Sequence, residues 1–337
     1  MNRWLQKQWG TFTFWHILLM PLSWIFLAAT YIRKSLYGID WIKRSRLSVP
    51  VIVVGNISVG GTGKTPFVIW LAEQLKLAGY RPGIISRGYG GTFQHALAVF
   101  ANSNPQLVGD EPVLIAKRTD CPVFVGVNRV LAGRALLQAN PLCNLIISDD
   151  GLQHYALQRD VEIALVDSTR QFGNRCLLPA GPLRESVSRL QSVDAIVVCG
   201  SDEMTDLPVA LRSTFFSMQL QGNMLQSLND DRVSQLPSNF FGKNLVAIAG
   251  IGNPERFFNQ LTALGLQFEF KAFADHYAFS AQDLAQFSQQ TILMTEKDAV
   301  KCRRFITADA WFLPVTATLS SKNKTPLITL ILQKLRS

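Results

Sequence analysis

The apolar run Val51-Ile52-Val53-Val54-Gly55 leads into Gly60-Gly61-Thr62-Gly63-Lys64-Thr65-Pro66, and this junction limits the possible folds more than any other stretch of the chain. A short, fully apolar run has the pattern of a buried strand. A Gly-rich turn ending in Gly-Lys-Thr has the pattern of a phosphate-binding loop that opens a helix. Glycines let backbone N–H groups converge on phosphate oxygens. Lys64 would reach the β- and γ-phosphates, and the Thr65 hydroxyl would ligate Mg²⁺ at the helix N-terminus. The expected nucleotide-binding set is Ser58, Val59, Gly60, Gly61, Thr62, Gly63, Lys64 and Thr65. Ser58 stands where the usual pattern has glycine, which leaves the turn to Gly60 and Gly61. The helix is expected over Phe67–Ala78, with Pro66 tolerated in its first turn and Gly79 as its stop signal. The competing structural reading is an ordinary strand-to-helix turn with a surface lysine.

Further apolar runs at Gly83–Ser86, Val123–Val127, Leu145–Ser148, Ile163–Val166 and Ala195–Cys199 alternate with helix-like stretches. That alternation is the pattern of a parallel sheet with helices on both faces, whose ligands bind at the carboxyl ends of the strands. Residues 201–240 are richer in Ser, Asn, Gln and Asp and mark a crossing to a second unit. Strands are expected there at Leu245–Ala249, Ile292–Thr295 and Trp311–Val315, with helices near Pro254–Ala263 and Ala281–Ser288. The expected fold is therefore α/β, with an N-terminal apolar helical segment over residues 1–46. A phosphate-loop NTPase-like parallel sheet flanked by helices follows over 47–222, and a smaller α/β domain over 223–337.

Charged residues make up 17% of the chain and hydrophobic residues 48%, where soluble domains typically carry about 25% charged residues. This balance suggests a protein that spends time at a membrane. The formal net charge of +9 favours an anionic partner, either phosphates or a bilayer surface. Nucleic acid ranks last, because no basic run interleaves with aromatics. Five scattered cysteines fit neither a zinc site nor a disulfide framework and point to a reducing compartment. From Phe12 to Ile32 the chain is nearly all apolar, interrupted by His16 and Pro21. About twenty such residues are enough to span a bilayer. Arg3 and Lys7 precede the run, and Arg33, Lys34, Lys43, Arg44 and Arg46 follow it, an imbalance that places the phosphate loop in the cytoplasm. No A-x-A cleavage site follows, against a removed signal peptide. Three arrangements fit: a span, an interfacial helix lying in the headgroups, and a helix packed on the domain. The central Pro and the polar His weaken a clean span.

Several carboxylates and cations fall at strand ends. Leu145–Ser148 runs into Asp149-Asp150-Gly151-Leu152-Gln153-His154. In phosphate-loop enzymes a carboxylate here holds the metal that the loop hydroxyl touches, so Asp149 and Asp150 are both metal candidates; the structural alternative is an Asp that satisfies the turn. Gln153 and His154 lie where a substrate or phosphate would sit. Asp110, in Gly109-Asp110-Glu111-Pro112, is either a helix N-cap or a general base. Arg87, in Ser86-Arg87-Gly88-Tyr89-Gly90-Gly91, either neutralises phosphate or covers the sheet edge. Arg184 belongs to the rigid turn Pro179–Glu185, and Asp275-His276-Tyr277 pairs a histidine with an acidic neighbour that could tune its charge. Thr295-Glu296-Lys297-Asp298 resembles a guanine-reading motif, but its Asp stands one position after the Lys rather than two. ATP is therefore favoured over GTP.

Taken together and in order, these motifs resemble the tetraacyldisaccharide 4'-kinase family, the lipid A kinases of Gram-negative bacteria. The resemblance runs from the apolar N-terminus nearly to the end. It implies transfer of the ATP γ-phosphoryl group, with Mg²⁺, to the 4'-hydroxyl of tetraacyldisaccharide 1-phosphate, yielding the 1,4'-bisphosphate lipid IV-A. It further implies a membrane-associated enzyme at the cytoplasmic face of the inner membrane, with two domains that close around the nucleotide. Asp110 and His276 would activate the hydroxyl and Lys64 would neutralise phosphate charge, while Arg87, Gln153, His154 and Arg184 would meet the substrate. Gly173-Asn174-Arg175-Cys176 departs from the family pattern, and no role is assigned to it. Nothing in the sequence points to an obligate protein partner. The alternative reading is a phosphate-loop GTPase or metallochaperone-type switch protein.

Overall fold

The computed structural model describes residues 8–9, 12–200, 215–306, 308–320 and 326–336. Arg3, Lys7 and residues 201–214, where the change in composition begins, lie outside the described residues.

The N-terminal apolar segment forms α1, Phe14–Gly38. Its buried residues are His16, Ser23 and Tyr37. They repeat at multiples of seven residues, close to two helical turns, so they fall on a single stripe along the whole helix. Along that stripe the helix is bonded to the domain. Ser23 Oγ donates to Leu177 O (2.9 Å) and accepts from Ala180 N–H (3.0 Å). The Tyr37 ring lies 6.1 Å from that of Tyr155. Just before the helix, Trp9 Nε1–H donates to Pro179 O at 3.1 Å. The outward face carries Phe14, Trp15, Ile17, Leu18, Leu22, Trp24, Ile25, Tyr31 and Ile32, all exposed. The helix thus lies lengthwise on the domain with its polar stripe inward and its apolar face outward, the reverse of an ordinary surface helix.

The phosphate-loop region then builds the first sheet from β1 (Val51–Gly55), α2 (Lys64–Leu77), β2 (Pro82–Ser86), β3 (Leu97–Val99), α3 (Pro105–Val108), α4 (Asp110–Thr119), β4 (Val123–Val125), α5 (Arg129–Ala139), β5 (Leu145–Asp149), β6 (Val161–Asp167), β7 (Ala195–Cys199) and β8 (Phe215–Gln221). The second sheet follows with β9 (Leu225–Ser227), β10 (Ser234–Gln235), β11 (Leu245–Ala249), α6 (Pro254–Ala263), β12 (Glu269–Ala272), α7 (Ala281–Ala285), β13 (Thr291–Thr295), α8 (Glu296–Cys302) and β14 (Ala310–Leu313). The chain ends with β15 (Thr316–Ser320) and α9 (Leu327–Arg336).

The first sheet has nine strands in the order β15-β8-β7-β6-β1-β5-β2-β4-β3. Its interior strands run parallel, and β3 and β15 close the two edges antiparallel. Strand β1 sits between β6 and β5, and its register opposes Val54 to Asp149, so the phosphate loop and the paired carboxylates leave the sheet side by side. Both sheet faces are covered by buried apolar clusters. The six-stranded second sheet runs β10-β9-β14-β13-β11-β12. The assignment of residues 223–337 to one second unit needs correction at its end. Strand β15 pairs with β8 at the edge of the first sheet, and α9 buries Leu327 and Ile331 in the first core.

Two helices join the sheets. Helix α8 of the second packs on α4 of the first, tied by Arg118 to both Glu296 oxygens (2.8 Å each) and by Asp231 to Lys117 (2.9 Å) and Arg303 (2.8 Å).

Candidate active site

The turn after β1 places each loop residue by backbone constraint. Gly63 caps α2 with φ +81°, and a Cβ there would lie 2.9 Å from Cys199 Sγ, so only glycine fits. Helix α2 starts at Lys64 rather than Phe67, with Thr65 buried in its first turn. Pro66 falls inside that turn, where an amide hydrogen is dispensable. Ser58 forms a bridge with Leu183, and Val59 N–H donates to Pro182 O at 2.9 Å. The Val59 amide is therefore committed within the protein and is not among the donors free to meet a phosphate. Gly60 and Gly61 face the second sheet: Arg170 lies over Gly60 and donates to Gly252 O at 2.8 Å, and Gly252 itself packs against Gly61 N.

The two carboxylates after β5 have opposite surroundings. Asp150 lies 3.5 Å from Lys64 Nζ and 3.1 Å from Arg184 Nη1. Burial alone would raise its pKa, but Lys64 and Arg184 outweigh burial and hold it far below the usual carboxylate range. Asp149 is pushed up to about 7 by burial first, then by Glu111 and Asp150. Ser86 Oγ donates to Asp149 Oδ2 at 3.1 Å, while Oδ1 is enclosed with no hydrogen-bond partner. A buried, unpartnered carboxyl oxygen beside the phosphate loop, kept from ionising by the acids around it, suits a hard divalent cation whose charge would offset theirs. Among the described residues no group of three or more His, Cys, Asp or Glu could enclose a metal. Mg²⁺ needs no such cage, since it usually takes one or two carboxylates together with phosphates and waters.

Gln153 and His154 turn inward. Gln153 Nε2 donates to Asn56 O (3.0 Å) and Glu185 Oε1 (2.7 Å), and Tyr155 donates to the other Glu185 oxygen. Gln153 Oε1 faces Arg184 at 3.5 Å. His154 Nε2 is enclosed without a partner, and burial followed by Arg129, Arg159, Arg33 and Arg87 brings the ring down to about 4, which keeps it neutral at pH 7. Arg87 stays exposed on the loop after β2. Arg129, which sequence reasoning passed over, is buried on α5 and donates to Gly126 O (3.2 Å) and Asp150 O (3.4 Å).

Asp110 is the first residue of α4; the N-cap position belongs to Gly109, with φ +91°. Its Oδ1 accepts from Glu111 N–H (2.9 Å) and lies 3.3 Å from His276 Nδ1. His276 comes from the other sheet, on the loop after β12, held by a bond from its N–H to Gly250 O (3.1 Å) and by the Tyr89 ring, 4.9 Å away. Asp275, the neighbour expected to tune it, stands farther off at 3.9 Å from Nε2. The tetrad Thr295–Asp298 opens α8, with Thr295 as N-cap, and sends Lys297 to within 3.9 Å of Asp110 Oδ2. Burial would push the Asp110 carboxyl up, but Lys297 and His276 prevail and hold it below the usual range.

The family model described as tetraacyldisaccharide-1-P 4'-kinase (LpxK) matches residues 15–336. The chain belongs to this kinase family. Tetraacyldisaccharide 4'-kinase of Methylobacillus flagellatus is 50% identical over 318 residues, covering 94% of this chain and 92% of its own. That of Dechloromonas aromatica is 47% identical over 342 residues, covering 100% of this chain and 98% of its own. Among solved structures, the crystal structure of LpxK from Aquifex aeolicus in complex with ATP superposes with a TM-score of 0.79 at 30% identity, over 95% of this chain and 99% of that one. Tetraacyldisaccharide 4'-kinases are ATP-dependent enzymes of lipid A biosynthesis, and the GTPase or metallochaperone alternative gives way to this membership.

Proposed function

We propose that this chain transfers the γ-phosphoryl group of ATP to the 4'-hydroxyl of tetraacyldisaccharide 1-phosphate, giving the 1,4'-bisphosphate lipid IV-A. It does so at the cytoplasmic surface of the inner membrane. Family membership supports the reaction. The observation that supports its chemistry is the 3.3 Å approach of His276 to Asp110 from opposite sheets. Asp110 takes the hydroxyl proton as the acceptor oxygen bonds to the γ-phosphorus. The bond from that phosphorus to the β–γ bridging oxygen breaks, and ADP leaves. His276 orients Asp110, and Lys64 neutralises phosphate charge once it exchanges Asp150 for nucleotide. Thr65 and Asp149 would hold Mg²⁺, which supplies further charge neutralisation when bound. In this reading Arg184, Gln153, His154 and Arg87 meet the acceptor. The outward apolar face of α1 lies in the headgroup layer, where a helix docked lengthwise brings the site to a substrate that stays in the bilayer.

The test is an assay in detergent micelles with γ-labelled ATP, Mg²⁺ and tetraacyldisaccharide 1-phosphate. Wild type moves label into lipid, while Lys64→Ala and His276→Ala each lose about 100-fold or more in kcat. Undiminished transfer by His276→Ala would remove the Asp–His step, and no transfer by wild type would remove the function.

A further inference from the structure

Three of the four residues in the tetrad that opens α8 hold structure together. Thr295 caps the helix, Glu296 pairs with Arg118, and Asp298 accepts from Gly250 N–H (2.9 Å) and Thr295 Oγ1 (2.7 Å) and pairs with Lys301 (2.6 Å). Lys297 pairs with Glu111 and goes further. Its side chain is 16% exposed and reaches across to the first sheet, where Nζ lies 3.0 Å from Glu111 Oε1, 3.9 Å from Asp110 Oδ2 and 3.5 Å from His276 Nε2. Asp110 Oδ2 is buried with no hydrogen bond, so this ammonium is the charge set against it.

We propose that Lys297 is a positioning residue for phosphoryl transfer, an ammonium delivered by the second sheet that fixes both the Asp110 carboxylate and the tautomer of His276. An ammonium only donates. A bond from Lys297 to Nε2 therefore makes Nε2 the acceptor and leaves the ring proton on Nδ1, facing Asp110 Oδ1 at 3.3 Å. Without Lys297 the opposite tautomer gains ground, because the Asp275 carboxylate, with Oδ1 3.9 Å from Nε2, favours a proton placed there by its charge. The ring would then turn a lone pair toward the Asp110 carboxylate, two acceptors face to face. Lys297 thus couples the docking of α8 on α4 to the readiness of the proton acceptor.

This inference rests on Asp110 as the base, and the experiment separates the two. The chain has only four histidines, so two-dimensional ¹H–¹⁵N spectra optimised for imidazole two-bond couplings resolve each tautomer. Wild type is expected to hold His276 with its proton on Nδ1, and a wild-type signal from the Nε2–H form overturns the proposal without any variant. Lys297→Met is expected to move His276 to the Nε2–H form and to lower kcat about 100-fold, with KM for ATP unchanged within about twofold. Lys297→Arg keeps a donor at Nε2 and is expected to keep the wild-type tautomer. A Lys297→Met enzyme with the wild-type tautomer and kcat within about threefold overturns the proposal. So does an equal kcat loss in Arg303→Ala, which loosens the same helix interface without touching Asp110. Asp110→Asn at wild-type activity would instead overturn the base assignment itself.

Discussion

Asp149 and Asp150 are chemically identical and adjacent in sequence, yet the fold sets their charges in opposite directions. Asp150 has φ +48°, which swings its carboxylate out toward Lys64 and Arg184. Asp149 remains on the strand, buried and facing other acids, so its ionised form is disfavoured in the folded protein. The sign of the stability effect follows. A carboxyl raised from an ordinary value of 3.8 to about 7 binds a proton in the folded state that the unfolded chain has released. Asp149 therefore withdraws stability from the metal-free protein as pH rises from about 4 to about 7, while His154, held down to about 4 from an ordinary 6.5, returns stability over most of the same window. Mg²⁺ with a non-hydrolysable ATP analogue should reverse that loss, raising Tm more at pH 8 than at pH 5. In Asp149→Asn the falling contribution should go, so that stability rises with pH over this range through His154, and the Mg²⁺-dependent increment should shrink, with transfer down about 100-fold. Thermal melts across pH check this, and an unchanged slope in the variant would assign the effect to another group. The sequence had marked both carboxylates but could not separate them, because the difference lies in one backbone dihedral and in cations from α2 and the Pro179–Glu185 turn.

At the scale of elements, the central strands were legible because each is a short run buried on both faces, and hydropathy alone reports that. The Ala195–Cys199, Leu245–Ala249 and Pro254–Ala263 elements match the sequence reading residue for residue. Elements defined by their neighbours were not legible. Strand β15 alternates exposed and buried residues, and only pairing with β8 tells which sheet owns it. Lys297 was passed over because its tetrad was compared with a guanine-reading motif, whereas its role comes from a partner helix about 185 residues earlier in the chain. Helix α1 is the clearest case. Its apolar length was obvious, but its orientation is written in a sparse polar stripe, His16, Ser23 and Tyr37, that hydropathy averages away. Nitroxide labels at Ile17→Cys and Ile32→Cys, both exposed at 56%, give a direct readout in vesicles. A helix lying in the headgroups puts the two labels at the same shallow depth. A spanning helix separates them by about 22 Å along the bilayer normal, from the rise per residue over fifteen positions. Ser23→Val, which strips partners from Leu177 O and Ala180 N–H, should lower Tm by an amount equivalent to about 1–3 kcal/mol.

For the whole molecule, the groups proposed to act in the transfer are divided between two sheets, so the joint between them is as much a part of the site as the side chains that line it. Asp110 and Glu111 begin α4, Lys297 sits in the first turn of α8, and His276 hangs from the loop after β12. Besides Lys297–Glu111, two further sets of ion pairs fix α8 on α4, and their burial decides which of the two matters. Asp231, whose side chain is 41% exposed, bridges Lys117 and Arg303 in solvent, where such pairs contribute about 0–1 kcal/mol. Arg118 and Glu296 are more enclosed, with one guanidinium nitrogen 2.8 Å from both carboxylate oxygens. Removing Arg118 leaves Glu296 buried and unpaired, at a cost of about 3–5 kcal/mol, whereas replacing both by apolar residues of similar volume is close to neutral. Arg118→Ala should therefore lower Tm strongly and kcat about 100-fold, since a displacement of about 1 Å at the reacting groups is enough for that loss. Asp231→Ala should change both only slightly. The double variant Arg118→Met, Glu296→Leu should recover stability and most of the transfer, although this ion pair is gone. Recovery of Tm without recovery of kcat would mean that the pair sets the angle between the sheets and not merely their attachment. Equal losses in Asp231→Ala and Arg118→Ala would remove burial as the deciding factor.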